Sequence, residues 1–465
     1  MKTAYLITDY GAVPGNELCT EKIQAAIDAC YLNGGGNVVV PAGVFTTGGI
    51  RLRSDVTLYL KKGATLRGSR DPEDYFAWKN DTVEPLRDDE ITDIPFIHCV
   101  AAIKCPTYTQ TDSEIYDYKR KPGSRWNNAL IRAIHAENIA VIGEEGSVID
   151  GADCFDEKGE ERYRGPHGIH FFDCRNIRFS GYTFKNSSNW SHKCIYCDNI
   201  ICENITALAG HDGVHMNACN NAVVRNSVFH TGDDCIAGFG SSNIVVDNCI
   251  LNTACNSVRL GATNAVIKNC RMYGPGEYLF RGSLTDEEKR NGAPSLNDPN
   301  DTEHEYYLRC VFNYYGEYNS EIPLQPGNIL FTDCVFENAR RFMLYDFGNH
   351  PCQVSRPLDN VTFRNIKATG IETPVVLYGD KDVPVSLNMD NVSIEVTDDF
   401  QWDALIYASD FKSITLDNVT ASGKLFSAVV DEVTEGSCTF NNVIVNGKEQ
   451  TNVRKSDKKS TFAFC

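Results

Sequence analysis

The chain has 465 residues, with 44 Lys and Arg against 62 Asp and Glu and a net charge of −18. That balance argues against nucleic acid and against an anionic membrane surface as partners, and it means that an acidic ligand needs a local cluster of cations. No stretch is long and apolar enough to span a bilayer, and the opening MKTAYLITDYG lacks the apolar region of a signal peptide, so the nineteen cysteines are expected to be buried thiols of a reducing, cytoplasmic compartment.

Residues 1–68 form the entry. Thr20 is a candidate N-cap, and Ile23, Ala26, Ile27 and Cys30 fall at helical spacing before Gly34-Gly35-Gly36 stops the helix. Val38-Val39-Val40 and Val56 to Leu60 read as strands. The short helix is expected to cover the open end of the strands that follow. Residues 69–127, rich in Asp, Pro, Tyr and charge, break the pattern as a long insertion. Regular runs then occupy 128–280. An Asn followed by an apolar residue recurs at Asn176, Asn199, Asn221, Asn243 and Asn264, in steps of 23, 22, 22 and 21 residues. That period, with short alternating β-branched runs in each unit, predicts one turn of a β-solenoid per repeat, with the Asn residues in a structural ladder. Residues 281–327 form a second long excursion, read as surface decoration or as a wall of a binding site. Coils return over 328–448 with less regular steps at Asn328, Asn360, Asn391 and Asn418, and 449–465 form a polar, basic tail or cap. All of this is expected to be one domain, because a solenoid grows in one dimension and needs no second core.

The stretch 210–261 carries the chemistry. It places Asp212, Asp233 and Asp234 in two short Gly-flanked runs. Residues at one offset in successive coils stack about 4.8 Å apart. Thirteen residues past each repeat Asn, the column is Asn189, Asp212, Asp234, Asn256 and Glu277. Sixteen past, it is His192, His215, Ala237, Arg259 and Phe280, expected to face outward beside the acids. Trp190 and Tyr278 share the offset between these, as a sugar platform or as plain packing. Clustered carboxylates repel, which raises at least one pKa and suits a general acid and a general base.

Several runs carry a family likeness. DYGAVPGN, TEKIQAAIDAC and GGGNVVVPAGVFTTGGIRLRSDVTLYLKKGATL look like the opening of the pectin-degrading parallel β-helix enzymes. With NALIRAIHAENIAVIGEEGSVIDG, NSSNWSHKCIYCDNI, HDGVH and TGDDCIAG, the chain resembles glycoside hydrolase family 28, the polygalacturonases and their relatives. The resemblance implies an all-β, right-handed parallel β-helix with a short N-terminal capping helix. It implies hydrolysis of glycosidic bonds with inversion, without cofactor or metal. Asp233 would be the general acid, and Asp212 and Asp234 would hold and deprotonate the attacking water, with acid and base sides about 6.5–9.5 Å apart.

Three departures from the family pattern bear on the substrate. His215 stands where the family has a second carboxylate, Cys255-Asn256-Ser257 stands where it has Gly-His-Gly, and Glu277 to Arg281 replaces its Arg-apolar-Lys grip on a uronate. Arg259 and His215 are therefore candidates for a relocated anion site or for binding neutral hydroxyls, with Asn256, His192, Arg281, Trp190 and Tyr278 as further substrate contacts. The expected partner is an oligosaccharide of the galacturonate type, attacked from a chain end. A neutral or other sugar, a Ca²⁺-dependent lyase and a non-catalytic carbohydrate binder remain the alternatives; the oligomeric state is open.

Overall fold

The computed structural model describes the chain except residues 1–3, 86–124, 160–162, 292–302, 317–323, 350–351, 354–355, 425 and 463–465. Most of the insertion expected at 69–127, and parts of that at 281–327, lie outside the described residues. Nearly every strand pairs in parallel with the strand one coil away, so that all of them join a single sheet. The sheet winds as three ladders, which makes the fold a parallel β-helix. One ladder runs through Val56–Leu60, Glu137–Gly143, Arg175–Ser180, Asp198–Glu203 and Asn220–Arg225. A second runs through Ala64–Gly68, Val148–Asp150, Thr183–Lys185, Thr206–Ala209 and Val228–Thr231. The third, which carries the site, runs through Ala129–Ile134, His167–Phe172, His192–Ile195, Val214–Asn217, the start of Ile236–Asp247, the start of Asn256–Lys268, Cys310–Tyr314 and Met343–Asp346.

The recurring Asn residues explain the corners. Asn138, Asn176, Asn199, Asn221, Asn243 and Asn264 all have φ between 55° and 60°, the left-handed region that Asn tolerates best after Gly. Their amides bond along the axis: Asn176 donates to Asn138 at 2.9 Å, Asn199 to Asn176 at 3.1 Å, and Asn328 to Asn264 at 3.0 Å. In the C-terminal coils the expected series does not stay on one corner. Asn391 donates to Asn365, Asn365 to Asp333 and Asn442 to Asn418, a second corner that already runs through Asn226, Asn248 and Asn269, whereas Asn328 continues the first corner. The irregular steps in the sequence came from reading two corners as one.

Inside the coils, aliphatic and aromatic side chains stack with small thiols. Cys174, Cys197 and Cys219 sit one above another, buried beside Phe171 and Phe179. The described cysteines are all free thiols, and most are buried. The N-terminal end is covered by a helix over Thr20–Leu32 with Ile23, Ala26, Ile27 and Cys30 inward, as the spacing predicts. Thr20 is its first residue rather than its cap; the Thr20 hydroxyl accepts the backbone N–H of Gly48 at 2.7 Å and so ties the helix to the first coils. No helix of the described residues is long and apolar enough to cross a membrane. Near the C-terminus, Phe462 packs on Trp402, Tyr378 and Tyr407. With Leu344, Val376 and Ala404 they form an apolar cluster apart from the main core, so the tail straps the third ladder.

Candidate active site

Register fixes what stands beside the carboxylates. Val214 pairs with Ile236, and Ile236 with Val258, so Asp212, Asp234 and Asn256 stack on three successive coils. On the preceding coil, His192 pairs with Val214, so the residue under Asp212 is Trp190, not Asn189. The count from the repeat Asn fails there by one residue. Between the paired Lys185 and Leu208 and the next pairs His192 and Val214, the turn on the earlier coil is one residue longer. The expected outward column shifts with it. Lys193, not His192, aligns with His215, and the column reads Arg132, His170, Lys193, His215, Ala237, Arg259 and Asn313.

His192 is therefore a core histidine and not a substrate contact. Its Nε2 lies 2.8 Å from the Tyr182 hydroxyl, it packs on Phe179 and Phe184, and burial pushes its pKa down to about 3. The coil after Asn256 also differs from expectation: it is entered by Cys310, so Glu277 and Phe280 are not in the acid columns. Glu277 pairs with His230 at 2.9 Å instead. Tyr278 shares no column with Trp190. It lines a small cleft with Asp153, Asn186, Leu208, Gly210 and Arg281, and Arg281 pairs with Asp153 at 3.3 Å rather than with the acids.

Backbone contacts aim the three carboxylates. The carbonyl of Asp233 accepts the hydroxyls of Thr231, at 2.7 Å, and Thr253, which pins the turn before the strand. A Cβ on Gly232 would lie 1.8 Å from the carbonyl oxygen of Leu279, and one on Gly213 would lie 2.4 Å from that of Cys235, so only glycine fits at either place. Asp233 keeps 14% of its side chain exposed, against 4% for Asp212 and 1% for Asp234.

Each carboxylate has its own partners. Asp234 accepts from Asn256 Nδ2 at 2.6 Å and from Arg259 at 3.4 Å. Asp212 Oδ2 lies 2.6 Å from His215 Nδ1. Arg164 approaches Asp233 at 3.9 Å and donates to Asn189 at 3.3 Å. Burial, then the charge of Asp233, raises Asp234 to about 6 against the relief given by Arg259 and Asn256. Burial, then Asp233 and Asp234, holds Asp212 well above the usual carboxylate range.

The walls are aromatic and basic. Trp190 lies flat on His215 with ring centres 3.6 Å apart, and Trp126 and His167 close in behind Trp190 at 5.2 and 5.3 Å. Lys193 Nζ lies over Trp126 and Trp190 at 5.4 and 5.8 Å. On the far side, Arg259 lies over the Tyr315 ring at 4.3 Å. His215 has Asp212 on one ring nitrogen and Asn217 Oδ1 at 3.1 Å on the other, so both nitrogens bond within the protein. Arg164, Lys193, Trp126, His167 and Tyr315 were not singled out in the sequence. Counting back from Val214 along the strand, instead of forward from the corner Asn, finds Lys193 and Trp190 in their true columns; no local motif marks the others. Asp233, Asp234 and Cys255 bring ligand atoms within 4.8 Å of one another. Two carboxylates and a thiol are not a Ca²⁺ donor set, which takes six to eight oxygens.

Residues 102–266 match the model of glycosyl hydrolases family 28. The family resemblance of the sequence therefore stands. The chain is 31% identical over 255 residues to an exo-poly-alpha-D-galacturonosidase of Dickeya chrysanthemi, covering 50% of this chain and 42% of that protein. It is 25% identical over 243 residues to a probable polygalacturonase of Vitis vinifera, covering 50% and 43%. The chain thus spans less than half the length of these two relatives. In three dimensions it resembles a family 28 exopolygalacturonase of Yersinia enterocolitica, with a TM-score of 0.59 at 17% identity over 99% of this chain and 80% of that one, a likeness of fold.

Proposed function

We propose that the protein is an inverting family 28 glycosidase that removes galacturonate-type sugars from the end of a pectic oligosaccharide. The observation that carries this reading is the stacking of Asp212 and Asp234 on adjacent coils with Asp233 beside them on the more exposed turn. As general acid, Asp233 gives its proton to the leaving oxygen. Water between Asp212 and Asp234 attacks the anomeric carbon from the other side and gives up its proton to that pair. Asp233 and Asp234 approach more closely than the roughly 6.5–9.5 Å usual between inverting acid and base. The first-formed anomer, followed by NMR, is therefore the decisive measurement, and net retention overturns the assignment.

An acidic sugar is supported by the cations that gather here in a chain of net charge −18. Lys193 and Arg259 share the column of His215, and Arg164 stands by Asp233. Attack from a chain end is supported by the aromatic wall of Trp126, His167 and Trp190 on one side of the acids and by Tyr315, which lies over Arg259, on the other. The name of the Dickeya relative points the same way. Monosaccharide released in the first minutes from polygalacturonate is the expected result; a ladder of sizes refutes the closed pocket, and cleavage of neutral oligosaccharides alone refutes the acidic sugar. We also propose a reducing compartment, on the free buried thiols. Loss of titratable thiols in the natively purified protein would overturn it.

A further inference from the structure

His215 is held so that its proton inventory can be read from geometry. The backbone N–H of Phe239 donates to Asn217 Oδ1 at 3.2 Å, which identifies that atom as the oxygen of the amide. The same oxygen lies 3.1 Å from His215 Nε2. An oxygen acceptor there requires Nε2 to carry a hydrogen. A neutral imidazole has only one N–H, so Nδ1 would be a bare lone pair. Yet Nδ1 lies 2.6 Å from Asp212 Oδ2, a distance that two acceptors do not keep. A proton must stand between them, belonging either to His215 as an imidazolium or to Asp212 as a carboxylic acid.

Two further contacts choose between these. The ring of His215 lies flat on Trp190, with centres 3.6 Å apart and planes 5° from parallel, and the indole face is the aromatic surface that best stabilises a cation. Beyond Asp212 stand two more carboxylates, Asp234 in register on the next coil and Asp233 on its turn; with burial they raise Asp212, and the same negative charge favours a cation on His215. The opposing groups are Lys193, which aligns with His215 on the preceding coil, Arg259 beyond Ala237 on the other side, Arg164 at 3.9 Å from Asp233, and His167 behind Trp190. Tyr315 presents its ring edge-on at 6.3 Å. Lys193 and Arg259 are each drawn to groups of their own, the Trp126 and Trp190 faces and Asp234 respectively. His167 is held far below the ordinary histidine range by burial and is neutral.

We propose that His215 is a positioning residue that stays an imidazolium through neutral pH, donating a hydrogen bond from its Nδ1–H to Asp212 and keeping that carboxylate ionised to hold the attacking water. On this assignment Asp212 orients the water and Asp234 takes its proton. The inference deepens the hydrolase reading and rests on it for the role of the water, but the charge of His215 can be measured without any substrate. In the full chain labelled with ¹⁵N in its histidine rings, and with the His215 signals identified by their loss in His215→Gln, both ring nitrogens should be protonated at pH 7. In Asp212→Asn, His215 should be neutral at pH 7. A bare ring nitrogen on His215 at pH 7 in the wild-type chain overturns the proposal, whatever the activity. The Gln of H215Q still donates to Asp212 but carries no charge. The acid limb of its kcat/KM profile should move up by about one pH unit, because the carboxylates lose their cation. A limb that stays where it was, in a variant whose melting temperature matches the wild type, overturns the charge role and leaves a merely structural one.

Discussion

At the residue scale, the three carboxylates differ in burial, and their predicted behaviour follows from that. Asp233→Asn should lower turnover by about 10²–10⁴-fold, the usual worth of general acid–base help, with the melting temperature unchanged because the side chain is on a partly exposed turn. Asp234 acts ionised in the proposed reaction, so kcat/KM should rise with pH through about 6. Arg259→Ala removes a cation that lowers Asp234 and should move that limb upward; a limb unchanged by Arg259→Ala would separate Arg259 from the base. Stability should answer in the opposite sense. A carboxyl raised from 3.8 to about 6 in the folded chain binds more protons there than in the unfolded chain. Its contribution is thus full below about pH 4 and lost as pH climbs through 6. Asp234→Asn should therefore stabilise the protein by about 2–3 kcal/mol at pH 7 and by almost nothing at pH 4, read from urea titrations at the two pH values.

At the element scale, much of the solenoid was legible because one residue type reports one geometry. Asn in the left-handed region marks a corner, and Asn138 to Asn264 are spaced by the coil length. The acid column was legible for the same reason, since Asp212, Asp234 and Asn256 each stand thirteen residues past the corner Asn199, Asn221 or Asn243. What failed lies where a turn changes length without changing its corner. The longer turn before His192 shifted a whole column and turned a core histidine into an expected ligand. The excursion after Tyr273 removed the coil that was to hold Glu277 and Phe280. Contacts made across these excursions, such as Tyr315 on Arg259, have no signature in local sequence. The excursion nonetheless bears on the catalytic turn, because the carbonyl of Leu279 rests against Gly232. Gly232→Ala should push that turn aside, costing about 1–3 kcal/mol and most of the activity. An alanine variant with wild-type stability and rate would show that the excursion is only a neighbour.

At the scale of the whole molecule, each coil is held almost entirely by the coils before and after it, so the chain behaves as a stack. The two ends of the stack are not alike. The N-terminal end is plugged by the helix Thr20–Leu32, whereas the late strand Ser437–Val445 has most of its residues half-buried or exposed, and a short antiparallel strand, Lys448–Glu449, folds back on it. Amide exchange should therefore be fastest around 437–455 and slowest over 192–260, and uniform exchange along the axis would contradict a stack. Such a gradient has a practical meaning for how the protein ages. Opening that starts at the half-exposed strand Ser437–Val445 has several intact coils to cross before it reaches Asp212 and Asp234. A molecule nicked or partly unravelled near its C-terminus should go on turning over, and the first coils to be lost are those whose loss the chemistry notices last.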